Sequence, residues 1–218
     1  GEEEEQDERK PGPIDLGRVK RLEVLLKYII QLIKINSDIL KKLTERIQAL
    51  IAAIQADNSL TIDAKDLTEK LNEILKKLSD IQKTLNGRRT SLDDLESMKA
   101  YFESIMRSLN QIIGRVSDVP SVKIYVSGIN NTSVKLLEAL EKLRKAIKAL
   151  KSGSKQPFGP NVGNWTINQF WKIIINLREK PQPKPQPTQQ PTPQPTPQLT
   201  PPQNVPQKVD DLEDLKQK

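Results

Sequence analysis

Residues able to do acid–base or nucleophilic chemistry are scarce in this chain and poorly grouped. It contains no His and no Cys. That removes the usual general base, the commonest metal ligand and the thiol nucleophile. Carboxylate and Lys chemistry remain. Two adjacent carboxylate pairs stand out, Asp93/Asp94 and Asp210/Asp211. The first falls at a predicted helix start, where the helix dipole gives acids a structural use. The second falls in a low-complexity tail, where solvation is explanation enough. No HExxH, P-loop, EF-hand loop or GxGxxG spacing occurs. The expectation is a non-enzyme with no catalytic residue, metal-ligand set or cofactor.

Cations are the other groups able to hold a ligand. Lys41, Lys42, Lys76, Lys77, Arg88, Arg89, Arg144, Lys145 and Lys148 form local basic clusters and are candidate phosphate contacts. No aromatic residues interleave with them, so base stacking is not expected and any nucleic-acid contact would be to the backbone, without sequence readout. The structural alternative is a set of solvated helix positions, with the Arg144–Lys151 group favoured by a helix C-terminus.

The net charge of +7 is segregated. Residues 1–17 carry seven acids against Arg9 and Lys10, whereas residues 18–151 sum to +9 and residues 152–218 to +3. An acidic arm on a basic body can shield that body or compete for its ligand, or simply solubilise it. The first residue is Gly1 rather than Met, consistent with a removed leader or a cloning remnant. No apolar run approaches the ~20 residues that span a bilayer, so no integral membrane span is expected. Intracellular, virion and surface locations all remain open.

The elements that must carry these groups are helices. From Val19 the apolar residues Leu22, Leu26, Ile29, Ile33, Leu40, Leu43, Ile47, Leu50 and Ile54 step by three and four, with Asn36 in the one polar slot. This is an a/d heptad stripe of about five heptads. Asp15 is its predicted N-cap. Leu25, Ile30, Leu32, Ile39 and Ile51 widen the apolar face beyond a two-stranded seam, which argues for a bundle or for more than two strands. Asn36 either fixes register between chains or bonds to a neighbouring helix within one. A second helix is predicted after an Asp63 cap, through Leu67, Leu71, Ile74, Leu78, Ile81 and Leu85, ending at Asn86-Gly87 with Gly87 in a left-handed turn. A third follows a Ser91/Asp94 capping box and runs through Leu95, Met98, Phe102, Ile105, Leu109 and Ile112 to Val116 at the same spacing. A fourth is predicted from about 119 to 151 in one heptad phase, weakened near Gly128–Thr132. The SVKIYV stretch within it alternates like a strand, but a strand would have no reason to keep that phase.

The domain reading is an acidic arm (1–15), a helical bundle or coiled coil (16–151), a Gly/Ser/Pro linker (152–163), a short aromatic amphipathic helix capped by Thr166 (164–180) and a Pro/Gln/Thr-rich disordered tail (181–218). The fold class is all-α. Trp165, Phe170, Trp171 and Ile174 make the most adhesive patch, which either closes the bundle or anchors a partner. Segment 209–216 places Val209, Leu212 and Leu215 among acids, as a short peptide hook would. Asn130, Asn131 and Asn164 match the glycosylation acceptor pattern, which matters only on export.

The expected function is structural: a scaffold that self-assembles into a homo-oligomer along the Val19–Ile54 stripe and tethers a protein partner by its Pro-rich tail. The alternatives are a sequence-independent nucleic-acid packaging or coating protein, such as a virion component, and an exported surface stalk.

Overall fold

A computed structural model describes residues 15–60 and 63–179. It is all-α: Leu16–Ala56 (α1), Ala64–Leu85 (α2), Leu92–Glu96 (α3), Met98–Val116 (α4), Pro120–Gly153 (α5) and Ile167–Glu179 (α6). The acidic arm and the Pro-rich tail lie outside the described residues.

The four longer helices close a ring in the order α1–α2–α4–α5, each antiparallel to the next. Side-chain contacts fix the directions. Ser37 in the middle of α1 meets Asn86 at the end of α2, and Arg115 near the end of α4 meets Asp66 at the start of α2. Lys99 at the start of α4 meets Glu141 of α5, and Asn36 of α1 meets Ala139 of α5. Short connections favour this up-and-down order.

Lengths do not match around the ring. At about 1.5 Å per residue, α1 runs about 60 Å and α5 about 50 Å, but α2 and α4 only about 30 Å each. The overhanging ends of α1 and α5 are covered by α3 and α6. Two reciprocal caps start those helices. Ser91 and Asp94 form the predicted capping box. Thr166 Oγ1 accepts from Gln169 N at 3.1 Å while Gln169 Oε1 accepts from Thr166 N at 3.0 Å. The two helix starts are stitched together, Leu92 N donating to Trp165 O at 2.9 Å.

Asp15 caps α1 as expected, accepting from Gly17 N and Arg18 N. Four local expectations are corrected. Asp63 stands before α2 but makes no side-chain cap hydrogen bond; its carboxylate lies 3.8 Å from Arg115. Gly87 is not left-handed. A Cβ there would meet Thr90 Oγ1 at 2.5 Å and Lys83 O at 2.9 Å, so it is closeness of approach that requires Gly. The third predicted helix is broken at Ser97, whose N–H is shared among the Asp93, Asp94 and Leu95 carbonyls and whose Oγ donates to Asp94 O at 2.8 Å. That side chain competes with the helical ladder. The fourth helix shows no break at Gly128 and continues to Gly153; Gly128 makes room for the Arg46 guanidinium.

Residues 152–163 pack rather than hang free. Ser154 and Val162 are buried, and Gly163 lies hard against the Asp93 carboxylate with no space for a Cβ.

Candidate interaction site

The adhesive patch is built into the bundle. Phe170, Trp171 and Ile174 are fully buried, and Trp165 is half-buried. Phe158, Trp165 and Phe170 form a triangle of tilted and edge-to-face rings, with centroids 5.2–5.7 Å apart. On α1, Glu23 is only 2% exposed. Its carboxylate is clamped by Arg178 Nη1 at 2.7 Å and by Lys27 Nζ at 3.1 Å. A buried carboxylate needs such partners, because leaving it unpaired costs several kcal/mol, on the order of 3 or more. The clamp joins the far end of α6 to α1. These four apolar residues therefore close the overhanging end of the bundle, not an outside surface.

The stripe read as a seam between chains is also inside one chain. Val19, Leu22, Leu26, Ile29, Ile33, Asn36, Leu40, Leu43, Ile47, Leu50 and Ile54 are each at most 4% exposed. A side chain already covered by α5, α2 and α6 has no surface left for a second copy. The physical reason is the added width: Ile30 and Leu32 are buried too, so α1 is wrapped on three sides by its own chain. Asn36 takes the intrachain role. Its Nδ2 donates to Leu32 O at 2.8 Å and to Ala139 O at 3.1 Å, across the α1–α5 contact.

The basic residues do not converge. Arg144 chelates Glu141 at 2.7 and 2.9 Å, and Lys99 and Lys145 add to the same carboxylate. Arg144 is the chief cause, with Lys99, of a Glu141 pKa lowered to about 2. Arg88 and Arg89 line an open hollow between α2 and α3 with Thr84, Thr90 and Asp94. Lys41 on α1, Lys76 and Lys77 on α2 and Lys148 on α5 stand exposed on three different helices. Lys42 lies on yet another boundary, between α1 and α5. Of the carboxylate pair, Asp94 is a cap and Asp93 holds Lys151 at 2.5 Å, shared with Glu96 at 2.8 Å. The pair does structural work at the helix start.

No family model, curated protein or solved structure matches this chain.

One surface went unread in the sequence. Along the outer α1–α5 boundary two hollows open. One, of about 490 Å³, is lined by Lys42, Glu45, Arg46, Ala49, Ile124 and Tyr125. The other, of about 380 Å³, lies towards the start of α1 and includes Arg18, Arg21, Leu25, Ala149 and Lys155. Between them on α1 stand Tyr28 and Ile35, 44% and 49% exposed. A signal was there to find. Arg21, Tyr28, Ile35, Lys42 and Ala49 are spaced by seven, at one heptad position outside the core stripe. No described helix is long and apolar enough to cross a membrane.

Proposed function

We propose that this chain is a non-enzymatic scaffolding protein, a rigid helical body that carries the Pro/Gln/Thr-rich segment 181–207 as a tether for a protein partner. The observation that supports this reading is the anchoring of α6. The helix immediately before the Pro-rich segment is held by fully buried Phe170, Trp171 and Ile174 and by the Arg178–Glu23 clamp. A tether works only from a fixed point, and this end of the body is fixed by both apolar packing and a buried ion pair. Pro-rich composition favours extended, semi-rigid spacers with affinity for aromatic grooves. Self-association is no longer required by the α1 stripe.

The test is crosslinking of the full chain in extract from its native source, read by mass spectrometry, with light scattering and the 260/280 nm absorbance ratio of the purified protein. The scaffold reading expects protein crosslinks at Lys180 and Lys184 and a protein-like absorbance ratio that salt does not change. Co-eluting nucleic acid stripped by salt, with no partner at the tail, would replace it with the packaging reading.

A further inference from the structure

We infer that the outer α1–α5 groove is the docking site of the chain's own acidic segment 209–216, held in cis. The inference rests on the groove and does not depend on the scaffolding reading.

The groove has an apolar floor and basic walls. Of the seven large hydrophobic side chains exposed among the described residues, Ile124 and Tyr125 line one hollow, and Tyr28 and Ile35 stand on α1 between the two hollows, at the heptad position shared by Arg21 and Lys42. On α5 a matching seven-residue ladder runs Gly128, Lys135, Lys142 and Ala149. The antiparallel register set by Asn36 against Ala139 brings Lys142 opposite the Tyr28–Ile35 stretch and Lys135 opposite Leu40, just beyond it. Arg18, Arg21 and Lys155 surround one end; Lys42 and Arg46 surround the other, against the single acid Glu45. An occupant must therefore be short, apolar on one side and acidic on the other.

Segment 209–216 has those properties. Val209, Leu212 and Leu215 recur every three residues, and Asp210, Asp211, Glu213 and Asp214 fill the spaces between. The acidic arm matches the charge but not the floor, since residues 1–15 hold one large apolar side chain, Ile14, against the spaced set of three in 209–216. Reach is not limiting. The 29 residues of 180–208 have a contour of up to roughly 95 Å, longer than the whole of α1. Tethering also places the segment at an effective concentration on the order of millimolar, so a weak site is occupied.

The absence of native Cys makes disulfide trapping clean. In the full chain, Ile35→Cys with Leu212→Cys is compared with Glu73→Cys on α2 with Leu212→Cys, both at high dilution under mild oxidation. Docking expects the first pair to close an intrachain disulfide about tenfold faster. Adding Lys135→Glu and Lys142→Glu, both at exposed positions, removes that advantage while circular dichroism stays unchanged. Equal rates for the two pairs overturn the inference. Disulfides that form chiefly between chains, at doubled mass, overturn docking in cis and make the occupant a second copy's segment.

Discussion

The buried Asn36 gives the sharpest test of how α1 is used. Its amide is fully buried and makes two donor bonds, but its Oδ1 has no partner. Asn36→Leu keeps the shape, because Leu branches at the same atom. The Leu32 and Ala139 carbonyls are helical and keep their ladder bonds. Losing the two donor bonds costs about 2 kcal/mol, at about 1 each. A methyl group in place of an amide 2.8 Å from Leu32 O must shift outward, costing roughly another 1 kcal/mol. Against this, removing the orphan acceptor returns about 2 kcal/mol. Burying a Leu side chain contributes about 2 kcal/mol more. The balance is a gain of about 1 kcal/mol, or a rise in Tm of roughly 2–4 °C for a body of this size. Denaturant unfolding monitored by circular dichroism measures it, with light scattering on the same samples. The mass should not change, since the side chain faces α5 of its own chain. A loss of more than about 1 kcal/mol would refute the ledger and show the α1–α5 donor bond to be the stronger effect. A broadened mass distribution would refute the intrachain assignment of the stripe.

Three further outcomes follow from particular contacts. Arg178→Leu leaves the buried Glu23 carboxylate with Lys27 alone and should cost about 2–3 kcal/mol, whereas adding Glu23→Leu should recover most of that loss; a double-mutant cycle in urea reads both. Gly87→Ala should destabilise by about 1–2 kcal/mol, because its Cβ would strike Thr90 and Lys83. Gly114→Ala, with open space around it on the exposed face of α4, should stabilise by about 0.5–1 kcal/mol; thermal melts of the pair separate steric from conformational cost. Glu141 has its carboxyl lowered from 4.5 to about 2, so its stabilising effect is present above pH 4.5 and is lost as pH falls towards 2. Glu141→Gln should lower Tm near neutral pH, and its difference from the unaltered chain should vanish as pH approaches 2; a constant difference would mean that the Arg144 contact does not depend on the carboxylate charge.

Much of the local structure was written in the sequence. The extent of α1 follows from its three-and-four stepping and from the Asp15 cap, and the unbroken heptad phase identifies α5 despite the strand-like SVKIYV. The Ser91/Asp94 box and the Thr166 start are likewise local, since a cap involves residues three apart. Packing decided the rest. A periodicity near 3.5 says which face of a helix is buried but not whose atoms bury it. The same Val19–Ile54 stripe suits a neighbour in its own chain or in another. The choice fell to helix lengths and short connections, which bring α5 and α6 over the part of α1 that α2 and α4 cannot reach. Glu23 and Arg178, 155 residues apart, carry no joint signal in sequence, because an ion pair of that separation exists only once α6 has docked. Tyr28 and Ile35 read as ordinary outward positions until α5 lies beside them and makes a line of side chains part of the floor of a groove.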